Sequence, residues 1–266
     1  MINKPIFDKY YTKLDVANIC CDIFKKCVAL KPDDIIVEPS AGNGSFISPL
    51  KRLSRNAIFI DIKPENKEVI KCDFLKSNFK SANDIHVVGN PPFGFKSSLA
   101  IKFIKHSCSF CKTLAFILPK SFMKPSMQAT VPLNFHLLST THLPKNSFYY
   151  KSTELHIPCV FQIWEKRHYN RKQHKKIEPF MYRFTTMKKA DIAIRRVGHL
   201  AGHIYKHDIA SKNINTHYFI KLDNKEHIND INNINIKSNE YVIGPKSISK
   251  KDIIKNLNRQ IKRVHV

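Results

Sequence analysis

Apolar positions along the first two thirds of the chain alternate between two rhythms. Residues 14–30 place Val16, Ile19, Cys20, Ile23, Phe24, Cys27 and Val28 at helical spacing, which predicts an amphipathic helix. Short apolar runs follow at residues 35–38, 57–62, 69–74, 85–90 and 114–119, each of strand length and bounded by polar or turn-forming residues. Between the last two, residues 98–106 carry Leu99, Ile101, Phe103 and Ile104 and predict a buried helix. Strands alternating with helices specify an α/β arrangement with a mostly parallel sheet covered on both faces. Residues 135–143 and 157–164 are again β-rich, but a loop rather than a helical crossover joins them. They predict an antiparallel hairpin at the sheet's edge.

The character of the chain changes at residues 168–179, HYNRKQHKKIEP, a polar and basic stretch that reads as a linker or exposed loop. Beyond it, strand-like pieces at 181–185, 192–197 and 218–222 precede a terminal helix. Ser249 is placed to cap that helix, with Ile253, Ile254, Leu257 and Ile261 on one face. The expected organisation is therefore an α/β domain over residues 1–167 and a small basic α+β extension over 168–266. Residues 213–239 are rich in Asn, but Tyr218, Phe219, Ile220 and Leu222 among them argue against disorder.

A hydrophobic fraction of 42% with 18 Phe is enough for a sizeable core and excludes general disorder. No run of about 18 apolar residues predicts a membrane span. The opening MINKPIFDKYYTKLD lacks the apolar centre of a secretory signal, and the seven cysteines are an odd number. Reduced thiols in an intracellular protein, cytoplasmic or nuclear and not secreted, are the expectation. The formal net charge of +24 points to a polyanion, nucleic acid before membrane. Residues 168–266 carry net +13 against +11 for the longer 1–167, so the tail is the more basic part per residue. An abundance of Lys, Ile and Asn beside only 7 Gly is also what an AT-rich genome would produce, without any binding role.

Two constellations carry chemistry. Glu38-Pro39-Ser40-Ala41-Gly42-Asn43-Gly44-Ser45-Phe46 follows the run at 35–38. Its glycines, spaced one apart, allow a sharp turn and close approach of backbone to a ligand, and Glu38 can accept from an amino or cationic group. Asp61 and Asp73 end the next two runs, suited to ribose hydroxyls and to an adenine amino group. Three acids at successive strand ends predict a nucleoside-type cofactor site, because that edge of a parallel sheet is its ligand crevice. The third glycine of a dinucleotide fingerprint is missing, and no Gly-Lys-Ser/Thr follows for a P-loop. The second constellation is Asn90-Pro91-Pro92-Phe93 after the run at 85–90. Consecutive prolines fix φ and remove two N–H donors. The Asn90 side-chain oxygen and the Pro91 carbonyl then make two acceptors for one planar amino group, and Phe93 offers a face on which a base can stack.

These residues together resemble the class I S-adenosylmethionine-dependent methyltransferases of the N6-adenine type, over roughly residues 8–167. Tyr10-Tyr11-Thr12 resembles the family's N-terminal segment, with Lys13 where the family usually has Pro. Glu38, Ser40, Ala41, Gly42 and Gly44 resemble the loop that binds the methionine moiety. Asp61 and Ile62 match the ribose acid and its neighbour, Asp73 and Phe74 the adenine-contacting pair, and Asn90, Pro91, Pro92 and Phe93 the catalytic motif. The resemblance implies a Rossmann-like fold, S-adenosyl-L-methionine as cofactor and no metal. It also implies direct attack by an adenine amino group held by Asn90 and Pro91. The substrate it implies is a polynucleotide, DNA slightly ahead of RNA. Alternatives are an RNA adenosine-N6 methyltransferase, a non-catalytic nucleic-acid-binding subunit with the same fold, and, further off, guanine-N2 or glutamine as acceptor. Protein partners and oligomeric state stay open.

Lys96, Lys120, Arg171, Lys172, Arg195 and Arg196 are candidate nucleic-acid contacts, with Lys175 and Lys176 extending the first basic cluster. Cys108 and Cys111 have metal or redox spacing but no second pair, and read as structural thiols. His199, His203 and His207 share a four-residue spacing that Gly198 and Gly202 interrupt, so no metal site is expected.

Overall fold

The computed structural model describes residues 10–150, 153–172, 177–229, 231–234 and 246–264. The chain divides into two compact units, residues 1–173 and 174–266.

In the first unit, β1 (Tyr11–Thr12) and α1 (Leu14–Cys27) lead into β2 (Ile35–Glu38), α2 (Ile47–Lys51), β3 (Ala57–Asp61), β4 (Ile70–Lys71) and β5 (Ile85–Gly89). Then come α3 (Ser98–Phe110), β6 (Thr113–Pro119), the one-turn α4 (Pro125–Gln128), β7 (Phe135–His142), β8 (Phe148–Tyr150), β9 (Thr153–Leu155) and β10 (Cys159–Lys166). Seven strands form one sheet in the order β4-β3-β2-β5-β6-β10-β7. The first five are parallel, and β10 runs antiparallel to both β6 and β7. The expected antiparallel edge is present, with β10, the later strand, inserted inside β7. A second small sheet, β1-β8-β9, pairs Tyr11 with Tyr149 and Thr12 with Phe148.

Successive residues of the central strands serve opposite faces, as a pleated backbone requires. Ile36, Ala115, Ile117, Phe161 and Ile163 pack with Val16, Ala17, Cys20 and Phe24 of α1. Val37, Val87, Leu114, Phe116, Leu118 and Trp164 pack with Ala100, Phe103 and Ile104 of α3. The predicted strand at 69–74 is only two residues long, because the Asp73 carboxylate accepts from Leu75 N (3.1 Å) and starts a 3-10 turn over Phe74–Lys76.

The second unit adds β11 (Tyr182–Phe184), β12 (Ile192–Arg195), β13 (Ile204–Tyr205), β14 (His217–Leu222) and α5 (Lys250–Val264). Its antiparallel sheet has the order β11-β14-β12-β13. The expected cap forms: Ser249 Oγ accepts from Asp252 N, and Asp252 accepts back from Ser249 N. Ile253, Leu257 and Ile261 are buried among Ile192, Ile194, Ile220 and Leu222, while Ile254 is half-buried. β13 escaped the sequence because two residues carry no period. Lys175, Lys176, Asp230 and residues 235–239 of the Asn-rich stretch lie outside the described residues. No helix among the described residues is long and apolar enough to cross a membrane.

At the edge of the main sheet where β2 and β5 begin, two polar side chains are buried together. His86 (0% exposed) meets Asp34 (1% exposed), with Nε2 3.1 Å from Oδ2, and the same carboxylate accepts from Lys31 N at 2.8 Å. Burial lowers the His86 pKa, so the neutral ring donates to Asp34 and ties the start of β2 to β5. Asp34→Ala leaves the His86 ring N–H unpaired in the interior and frees the Lys31 N–H, and should cost about 1–3 kcal/mol. Trp164, the single tryptophan and 1% exposed, reports unfolding of this unit in urea. A loss below about 0.5 kcal/mol would contradict a structural role for the pair.

Candidate active site

The strand order fixes where a ligand can enter. From β2 the chain crosses to β3 and β4 on one side, whereas β5 is followed by β6 on the other, so the connections diverge between two adjacent parallel strands. A crevice opens at the carboxyl ends of such a pair. Glu38 ends β2, Asp61 ends β3 and Asn90 follows β5, and all three line one cavity of about 440 Å³. That volume suits a cofactor or drug-sized ligand. Tyr11, Thr12, Ser40, Ala41, Gly42, Ile62, Asp73, Phe74, Pro91, Pro92 and Phe93 line it too. Among the expected cofactor and motif residues, Gly44 is not on the lining. It serves the turn instead, with φ +93°; a Cβ there would fall 2.7 Å from Asn66 Nδ2 and Ile47 Cδ1, so those side chains would have to shift.

The loop after β2 is held from two sides. Gly42, at φ +51°, donates its N–H to Asp61 Oδ2 at 2.8 Å, while Asp61 Oδ1 accepts from Lys63 N at 2.7 Å. Two backbone donors thus fix the Asp61 carboxylate and leave lone pairs for a further donor. Tyr11 donates to both oxygens of Glu65 (2.6 and 2.7 Å), and burial, with the Glu65 carboxylate, raises its phenol pKa. Ile62 is 61% exposed beside the buried Phe74, giving the cavity two apolar surfaces.

The Asn90 amide has a forced orientation. Its Nδ2 donates to Tyr10 O (3.2 Å) and Thr12 Oγ1 (3.1 Å), and a carbonyl oxygen can only accept. The amide oxygen is therefore the end left over: Asn90 Oδ1 is buried without a partner. Ser40 Oγ donates to Asn90 O at 2.9 Å, tying the loop after β2 to the motif after β5. Glu38 Oε2 is likewise buried and unpartnered, in a side chain 2% exposed. Burial raises the Glu38 pKa well above the ordinary 4.5, and the charge of Asp61 adds to the rise. Both oxygens belong to residues that line the cavity, where a ligand with amino or cationic hydrogens could meet them.

Sequence reasoning missed several details of this wall. Tyr10 stood in the matched N-terminal segment but acts through its carbonyl, which side-chain chemistry does not reveal, and Glu65, which holds the Tyr11 hydroxyl from off the lining, lies outside any motif. Leu99 and Phe103 were read only as helix core, although their i, i+4 spacing just after the motif places both on the cavity. The basic candidates separate. Arg171 donates to Val131 O at 2.9 Å and to Gln128 O at 3.3 Å, and stacks 5.0 Å from the Trp164 ring, so its guanidinium holds its own unit together. Arg195 likewise donates to Val197 O and Thr216 Oγ1, both at 3.0 Å. Arg196 stacks on Tyr218 at 5.3 Å, while Lys96 and Lys172 are exposed and Lys120 is half-buried. His199, His203 and His207 fall in turns and beside β13 rather than on a helix, and no group of three potential metal ligands occurs among the described residues.

Among solved structures, the chain is similar to a Listeria monocytogenes protein assigned to the class I S-adenosylmethionine-dependent methyltransferases. The TM-score is 0.50 at 16% identity, over 65% of this chain and 66% of that one. A Pyrococcus horikoshii protein assigned as an RNA methyltransferase gives 0.48 at 15%, over 62% and 91%. A Vibrio vulnificus protein assigned as a modification subunit of a type I restriction enzyme gives 0.46 at 12%, over 59% and 44%. This chain spans just under two thirds of the Listeria protein and under half of the Vibrio one. At such identity the likeness is one of fold, and the fold is the Rossmann-like α/β sheet expected from the sequence. No protein-family model and no curated protein matches the chain.

The buried Glu38 carboxyl makes the stability of the fold depend on pH. A buried carboxylate whose folded pKa is raised above its unfolded value destabilises the fold progressively as pH rises through that window. Glu38→Gln removes the charge, so the stability of the variant relative to wild type should increase from pH 5 to pH 8 in urea unfolding read by Trp164. A difference that does not change with pH would contradict the buried carboxylate.

Proposed function

We propose that the chain is an S-adenosylmethionine-dependent methyltransferase that modifies the N6 amino group of adenine in DNA or RNA. The observation that carries this reading is the Asn90 amide, turned by Tyr10 O and Thr12 Oγ1 so that its oxygen is the free acceptor. The cavity residues fit the cofactor. Glu38 offers its unpartnered oxygen to the amino group of the methionine moiety, Asp61 its remaining lone pairs to ribose hydroxyls, and Ile62 and Phe74 their apolar surfaces to the adenine ring. When bound, the cofactor supplies an electrophilic methyl group on a sulfonium.

The chain's own residues prepare the acceptor. Asn90 Oδ1 and the Pro91 carbonyl take one hydrogen bond each from the target amino group, which turns the nitrogen lone pair toward the methyl. Phe93, packed against both faces of the core, gives the base a fixed surface to stack on. A base in a duplex must leave its stack to reach this point. The net charge of +24 supplies affinity for the phosphate backbone without sequence information. In the second unit, Arg196 and the Lys250 ammonium, 4.8 Å from the Phe184 ring, are cations on aromatic surfaces suited to the same polyanion.

Two variants separate binding from chemistry. Asp61→Ala should weaken cofactor binding by about 1.5–3 kcal/mol, roughly tenfold to a hundredfold, in calorimetry on protein whose fold is checked by circular dichroism. Asn90→Ala should keep cofactor affinity within a few-fold and lose methyl transfer. Substantial turnover by Asn90→Ala at saturating cofactor would overturn the amino-group mechanism.

A further inference from the structure

The turn that joins the Asn90–Phe93 motif to α3 has a backbone that the cavity does not require. Gly94 (φ 69°), Lys96 (φ 51°) and Ser97 (φ 64°) all lie in the left-handed region, and two of the three are not glycine. Side chains other than Gly, Asn and Asp rarely adopt it, and such strain gathers where a side chain is held for use. Gly94 has no latitude, since a Cβ there would stand 2.8 Å from Leu99 Cβ and 3.0 Å from Leu99 N. The result is that Phe95 points outward. At 80% exposure it is the most exposed large apolar side chain among the described residues. The Lys96 ammonium lies 5.0 Å from its ring centroid.

Position gives this pair a purpose. The two ends of the loop, Phe93 and Leu99, both line the cavity. The Phe95 Cα is at most about 7 Å from that of Phe93, a distance that one unstacked nucleotide bridges. We propose that Phe95 and Lys96 form a second nucleotide subsite: Phe95 stacks on the base next to the one that enters the cavity, and Lys96 meets the phosphate between them. Extruding a target base leaves its neighbour with one bare face, and a protruding aromatic ring covers it. An adjacent cation is what a nucleotide needs and an apolar protein contact does not. The proposal rests on the polynucleotide reading of the cavity.

The test uses the full chain and a single-stranded oligonucleotide with one adenine flanked by 2-aminopurine. Wild type should quench the 2-aminopurine. Phe95→Ala should lose the quench and bind about 5- to 100-fold more weakly, the range that one stacked base provides. Phe95→Trp should restore both. Lys96→Ala should flatten the log affinity against log salt slope by about 0.7, the value of one single-strand phosphate. Cofactor affinity should not change in any of the three. Unchanged affinity and quench in Phe95→Ala would overturn the subsite, as would a loss that Trp fails to restore. If the wild-type protein places no methyl on the oligonucleotide, the N6 reading fails, while the fluorescence titration still decides on Phe95.

Discussion

Everything at the cavity depends on the divergence of connections between β2 and β5. Two neighbouring parallel strands whose chains leave in opposite directions cannot cover their own carboxyl ends, and that gap is the only reason Glu38, Asp61 and Asn90 share a wall. At the opposite edge the same two strands are joined by the buried His86–Asp34 contact. One edge of the strand pair is thus closed by a polar contact in the interior, and the other is left open for a ligand.

Both ends carry an energetic cost, since His86 Nδ1 at the closed end is also buried without a partner. An unpartnered acceptor in the interior costs about 1–3 kcal/mol, and both Glu38 Oε2 and Asn90 Oδ1 are of that kind. Asn90 is held by Tyr10 O, Thr12 Oγ1 and, through its backbone carbonyl, Ser40, which leaves Oδ1 fixed in place as an acceptor on the cavity wall. Groups fixed in advance do not have to reorganise when the ligand arrives, and this is the usual source of an enzyme's advantage over water. The strained turn at Gly94–Ser97 follows the same logic on the surface, where backbone strain holds one aromatic ring in solvent.

Much of this was legible in the chain, for local reasons. Strand runs at 35–38, 57–62, 85–90 and 114–119 announce a parallel sheet by length and composition, and acids or Asn at their ends mark its ligand edge. The cap at Ser249 and the apolar face of α5 follow from spacing alone. What escaped is non-local or carried by backbone. The pairing of Tyr11 with Tyr149 brings the N-terminal segment over the motif, and no periodicity records a contact so distant in sequence. Tyr10 contributes a carbonyl that every residue has. Asp73 was read as a strand end, but its tendency to cap a turn won over the strand. Arg171 and Arg195 were read by charge, whereas burial and nearby carbonyls engage them within the protein.

The most direct measurement is nucleoside analysis of the product after transfer of labelled methyl from S-adenosylmethionine to matched DNA, RNA and protein acceptors. The arrangement of Asn90, Pro91 and Phe93 around the cavity predicts label recovered as an N6-methylated adenine nucleoside from DNA or RNA, and none from protein. Label on a different atom of a base, or on a glutamine side chain, would contradict it.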